Sequence, residues 1–273
     1  MQKSSALILL VCLLPSCATE VAATPAPDDV VRNPWCGFAP GSWVVVGIRR
    51  IGSENPESLS TYRDEVVGTS PTGDPLLQSS WKPRASSPFQ PSSSTLYGIP
   101  VKSITFGMIE RSRRRETLEL GGRKLNCSAV DYTLEESSPA REATLTLWKA
   151  DGVVLPPWDM AAMSGRRALP ADVVRVTLND RQGKTTVAAS LEVVEFESTI
   201  EVGGRKVACV VGKTSSIATY PSGSVVLRSW RTWLSPEVPG FIARRDRQCT
   251  DSPTARPHEY TIRDEVTAFH TVR

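Results

Sequence analysis

Histidine is nearly absent. The 273 residues include two, His258 and His270. If 259–271 is a strand, these share a face but stand roughly 40 Å apart, too far to act on one substrate. No nucleophile elbow, phosphate loop, HExxH or calcium loop occurs, so no catalytic residue is expected and the chain reads as a non-enzyme. Cysteines at metal-ligand spacing are missing too, and neither a metal nor any other cofactor is expected. Charge of one sign is not in excess: 32 Lys and Arg stand against 29 Asp and Glu. That balance excludes a dedicated nucleic-acid binder, which needs a concentrated basic surface. The two arginine clusters, Arg111, Arg113, Arg114 and Arg115, and Arg244, Arg245 and Arg247, read as solvated strand edges protected by charge. A sustained helical period with caps is also lacking. The best helical candidates, 57–67 and 158–168, are short.

Long apolar runs are confined to the N-terminus. "MQKSS" supplies one Lys, "ALILLVCLL" is an apolar run of nine, and "LPSC" follows at 14–17. Nine residues are too few to span a bilayer and fit the core of a signal peptide, so the chain is expected to be exported. "LPSC" resembles the lipobox of bacterial lipoproteins, with Leu14 first, small Ser16 before the cysteine, and Pro15 departing from the usual second position. The resemblance implies cleavage after residue 16 and lipid attachment at Cys17. Several acyl chains on one residue give stable membrane anchoring, each buried CH₂ contributing about 0.8 kcal/mol. "TEVAATPAPDD" then reads as part of a tether over 17–33. The alternative is an ordinary secretory signal cleaved near "VAATPA", leaving a soluble secreted or periplasmic protein.

What the chain has in plenty is self-similarity. "ETLELGGRKLNC" and "STIEVGGRKVAC" align without a gap at an offset of 82 residues, and the same offset places Trp148 on Trp230. The match marks a duplicated unit, 104–185 and 186–273. Gly121-Gly122 and Gly203-Gly204 sit between alternating segments, as a tight hairpin with positive φ requires. A two-residue loop pairs Leu120 with Arg123, Leu118 with Leu125 and Glu116 with Cys127. Leu118, Leu120, Leu125 and Cys127 then share an apolar face, opposite Thr117, Glu119, Lys124 and Asn126. In the second copy Ile200, Val202, Val207 and Cys209 play the same part. The sequon Asn126-Cys127-Ser128 reads as idle in a bacterial protein, Asn126 simply facing solvent.

Further strands are expected at 42–50, 141–149, 172–180, 185–196, 224–234 and 259–271. "RDEV" recurs at 63–66 and 263–266. Residues 69–95 hold five prolines and many serines and read as a long loop, within an N-terminal section 34–103. The expected fold is all-β: an antiparallel meander with an internal duplication, an open or half barrel, with 34–273 one domain.

Four cysteines follow Cys17, and in an oxidising compartment they allow three pairings. Cys36 and Cys249, near loops on either side of the two Gly-Gly hairpins, form the favoured bridge, leaving Cys127 and Cys209 as buried thiols. An exported, lipidated, curved antiparallel sheet resembles the envelope carriers that sort lipoproteins, whose open half-barrel holds acyl chains. That resemblance implies a non-catalytic role, with an apolar or acyl ligand on the concave face lined by Leu118, Leu125, Trp148, Ile200, Val207 and Trp230. The rival reading is a structural or interaction lipoprotein with a filled core and an envelope protein as partner. A cavity of several hundred cubic ångströms favours the first, a packed inner face the second.

Overall fold

The computed structural model describes residues 34–51, 58–71, 73–82, 87–96, 102–105, 107–134, 141–156, 167–252 and 258–272. Cys17 and the expected helical stretch up to residue 166 lie outside them. The strands are β1 (Trp43–Ile51), β2 (Ser58–Thr69), β3 (Pro75–Lys82), β4 (Gln90–Leu96), β5 (Lys102–Ser103), β6 (Met108–Leu120), β7 (Arg123–Leu134) and β8 (Arg141–Ala150). They continue as β9 (Arg167–Ala168), β10 (Val173–Gln182), β11 (Thr185–Val202), β12 (Arg205–Thr219), β13 (Val225–Leu234), β14 (Ile242–Ser252) and β15 (His258–His270). No helix occurs among the described residues.

Thirteen strands form one antiparallel sheet in the order β4-β3-β2-β1-β15-β14-β13-β12-β11-β10-β8-β7-β6. The sheet is not closed, because β4 and β6 stand at opposite ends as edges. Neighbours are mostly sequential, joined by hairpins; the long-range join is β15 with β1, which pair from Trp43↔His270 to Ile51↔Thr261. β5 and β9 make a separate two-stranded parallel pair.

Both Gly-Gly hairpins have the expected register. Leu120 faces Arg123, Leu118 faces Leu125 and Glu116 faces Cys127; Val202 faces Arg205 and Ile200 faces Val207. Gly121 and Gly122 take φ of 55° and 73°, and Gly203 and Gly204 take 56° and 79°, the left-handed values that glycine adopts without strain. β11 carries register shifts between Val193 and Ser198, and bulges bend a strand. Each hairpin tip docks on a later strand. A Cβ on Gly121 would lie 3.0 Å from the Phe196 ring, and one on Gly203 would lie 3.1 Å from the Thr267 carbonyl oxygen.

Two apolar clusters hold the sheet. The first joins Cys127, Val130, Leu145, Leu147, Val176 and Leu191, with Ile104, Leu155 and Leu169 from the connecting segments. The second joins Val202, Val207, Cys209, Val211 and Trp233 with Val44, Val46 and Val266. Burying a Leu or Val side chain contributes about 1.5–3 kcal/mol, so the tips are apolar docking elements rather than free loops.

Several sequence expectations need correction. Residues 58–69 are β2 and not a helix, because pairing with β1 from Trp43↔Glu65 onward uses their period-two pattern. The stretch 69–95 is not a loop throughout: it contains β3 and β4. Its prolines fit because Pro75 opens β3 and Pro91 sits on the edge strand β4, positions where a missing N–H is tolerated. Trp148 and Trp230 are not equivalent. Trp148 pairs with Ala129, while the residue paired with Val211, 82 further on, is Trp233. The β12–β13 hairpin is longer by three residues (Cys209 to Trp233 against Cys127 to Trp148), a difference invisible to an ungapped alignment.

Candidate functional site

In an antiparallel sheet directly paired residues lie on one face, so the registers define rows across the strands. One row runs Thr177, Ser190, Ser215, Ser229, Gln248, Thr261 from β10 to β15. Two residues along, on the same face, lie Asn179, Ala188, Ile217 and Leu227. Two residues the other way lie Arg175, Glu192, Lys213, Arg231, Asp246 and Arg263. The opposite face carries the buried row Val176, Leu191 and Thr214.

Small side chains on the first face leave an open trough. Its central part, about 680 Å³, is floored by Ala188, Ser190, Ser215, Ile217, Leu227 and Ser229. A second part of about 460 Å³ shares Asn179, Ala188 and Ile217 and reaches Glu142, Arg181 and Thr219. A third of about 350 Å³ shares Ser229 and Gln248 and reaches Lys213, Arg231, Asp246 and Thr261. The Ser190 and Ser215 hydroxyls hydrogen-bond at 2.8 Å. Ile217 and Leu227, cross-strand neighbours, are 49% and 41% exposed in the trough.

On the other face a smaller cavity of about 140 Å³ is lined by Trp35, Tyr62, Asp64, Gly240, Arg245 and Asp264. Burial, with the Asp64 and Asp264 charges behind it, pushes the Tyr62 hydroxyl up to about 12. Burial also raises the Asp64 carboxyl, against the hydrogen bond it accepts from Ser79. Asp264 accepts from Arg247 at 2.7 Å. Gly240 is pressed against the Trp35 ring, 3.1 Å from where its Cβ would be.

The six residues expected to line a ligand site do not come together in the trough. Leu118, Leu125 and Trp148 pack in or against the first cluster, and Ile200 and Val207 in or against the second. Trp230 is half-buried on β13, across from Thr214. The Trp148 indole N–H donates to Glu116 at 2.9 Å, holding that carboxyl below the usual carboxylate range together with Arg114. Arg175 stacks over the Trp148 ring at 5.1 Å, and Arg244 over Trp233 at 4.5 Å. Sequence reasoning missed the trough residues because single Ala and Ser residues carry no motif. The signal that could have found them is their alternation with Ala189, Leu191 and Thr214 once strand pairing is known.

The arginines of the first cluster do lie on an edge, β6, and are engaged there. Arg113 pairs with Glu110 at 2.9 Å, Arg114 with Asp131 at 2.6 Å and Arg115 with Asp151 at 2.8 Å. Arg111 donates to the Thr133 hydroxyl at 2.7 Å. The second cluster is not at an edge: β14 lies between β13 and β15, where Asp246 and Asp264 take Arg244 and Arg247 at 2.8 and 2.7 Å. Cys127 and Cys209 are buried free thiols. The Cys249 side chain, and with it the expected bridge to Cys36, lies outside the described residues, as does the side chain of His258. His270 stacks at a tilt beside Trp43, ring centroids 6.2 Å apart.

No family model and no curated protein matches the sequence. Two solved structures are similar to the chain. One, from Bacteroides fragilis, is ascribed to the exported proteins with a YmcC-like fold: 9% identity over 86% of this chain and 99% of that one, TM-score 0.34. The other, from Parabacteroides distasonis, is ascribed to the lipoproteins: 10% identity over 85% of this chain and 96% of that one, TM-score 0.36.

Proposed function

We propose that the chain is an exported, lipid-anchored protein of the bacterial cell envelope that binds an apolar or acyl-bearing ligand in the trough, without catalysis. The N-terminal apolar run and Cys17 support the anchor. One observation carries the binding role: Ile217 and Leu227 are exposed side by side on the floor of a depression of about 680 Å³. Ligand sites run from about 300 to 1,000 Å³, and exposed apolar pairs in such a site mark where a ligand loses water. The acyl-binding surface is thereby moved along the sheet, away from Leu118, Leu125, Trp148, Ile200 and Val207, which pack in or against the apolar clusters toward the Gly-Gly ends of the strands, and away from Trp230 on the opposite face.

The test uses cis-parinaric acid, whose fluorescence rises on entering an apolar site. Wild-type protein enhances it, and Ser215→Trp, which fills the trough from an exposed face, abolishes the enhancement while circular dichroism stays unchanged. No enhancement by either protein favours the rival scaffold reading, which the packing of Leu118, Leu125, Ile200 and Val207 into or against apolar clusters supports. For the anchor, Cys17→Ala should move the protein from the detergent phase to the aqueous phase. Aqueous partition of the wild type overturns it.

A further inference from the structure

The trough is graded in polarity along its strands. On β12 the exposed apolar Ile217 is followed by Ser215 and then by Lys213, all on one face. On β13 the matching order is Leu227, Ser229, Arg231. At about 3.3 Å per residue the apolar and cationic rows stand roughly 13 Å apart, with hydroxyl and amide groups between them.

The charged row holds two carboxylates, Glu192 and Asp246, beside four cations, and those cations are not uniformly available. Arg231 is paired with Glu195, and Asp246 receives Arg244 and Arg263. Arg175 lies over the Trp148 ring. Lys213 is different: it is exposed, it lines the trough, and among the described residues it has no ion pair, although Glu192 is its cross-strand neighbour. One unpaired ammonium thus closes one end of a depression whose middle is hydroxylic and whose floor beyond is apolar.

Resting on the apolar-ligand reading, we propose that the trough takes an anionic amphiphile in one orientation. The phosphate-like head sits at Lys213, the ester or glycerol region against Ser190, Ser215, Ser229 and Gln248, and the start of the acyl chain over Ile217 and Leu227. A charge-assisted hydrogen bond is about twice as strong as a neutral one, so the head discriminates, while the apolar row supplies affinity in proportion to area covered.

Isothermal titration of the full chain carrying Cys17→Ala, so that its own anchor does not compete, tests this with three monomeric probes. These are dihexanoyl phosphatidylglycerol, dihexanoyl phosphatidylcholine and glycerol 3-phosphate. The glycerol lipid should bind at least tenfold more tightly than the choline lipid, and glycerol 3-phosphate should bind more weakly than both. Lys213→Gln should erase the difference between the two lipids. Ile217→Asp, at an exposed position, should weaken both about tenfold with circular dichroism unchanged. Equal affinity for the two lipids, unaltered by Lys213→Gln, overturns the head assignment and leaves the apolar-ligand reading standing. Glycerol 3-phosphate binding as tightly as the glycerol lipid overturns the apolar half of the site. No binding of any probe overturns both readings.

Discussion

Cys127 and Cys209 sit at matched places in the two hairpins, 0% and 4% exposed, and each thiol points at a backbone carbonyl two residues back. Burial raises both above an ordinary thiol, and pushes Cys209 up to about 11 from 9.0. A raised native value means that the folded state holds its proton longer than the unfolded state. The stabilisation is therefore complete below about pH 9 and is lost as pH climbs through 11. Urea midpoints measured against pH should be level up to about 9 and then fall. Cys209→Ala, though less stable at neutral pH through lost packing, should fall less steeply over that window. An identical slope in the variant would mean that other groups govern alkaline unfolding, Tyr62 being the first to examine. The inward position of both cysteines was legible from alternation alone.

At the scale of elements, the hairpin turns show what a sequence pattern can and cannot say. Gly-Gly between alternating segments predicts the turn and its register, and both are found. It does not say that the first glycine of each pair touches another strand while the second faces open space. Left-handed φ costs an L-residue about 1–2 kcal/mol at either position. Gly121→Ala adds a clash with Phe196 and the Val194 carbonyl, and Gly203→Ala one with the Thr267 carbonyl. Gly121→Ala and Gly203→Ala should thus lose roughly 2–4 kcal/mol, and Gly122→Ala and Gly204→Ala about 1 kcal/mol, in urea unfolding. Equal losses within each pair would show that tip docking contributes nothing. Arg123 over Phe196 and Arg205 over Phe269, both at 5.0 Å, put the same cation–π contact at each docked tip.

Across the whole molecule, β15 joins two runs of sequential strands. It hydrogen-bonds β14 on one side and β1 on the other, so β1 to β4 reach the rest of the sheet through the last strand of the chain. Ser42 adds a clasp beside it, donating to the Val272 carbonyl at 3.1 Å and accepting from the Val272 amide at 2.9 Å. Removing residues 258–273 should expose the β1 edge and Val44, Val46 and Val66. Hydrogen exchange in that truncated chain should show β1, β2 and β3 unprotected, with β7 and β8 still protected by the first apolar cluster. Protection retained over β1, β2 and β3 would mean that those three strands hold together without β15.

Period-two alternation, glycine pairs and β-branched runs were enough to specify strands, turns and inward-facing residues, because each depends on neighbours close in sequence. They sufficed for β1, β8, β10, β11, β13 and β15 within a residue or two at most ends, and for the Cys127 and Cys209 environments. Three matters depended on partners far along the chain. Pro75 and Pro91 could enter strands only because of where their strands lie in the sheet. Trp233 rather than Trp230 matches Trp148 because hairpin length, not residue spacing, sets cross-strand position. The trough exists because four strands bring Ala188, Ser190, Ser215, Ser229 and Gln248 side by side, and smallness in a row becomes a cavity only after the strands have paired.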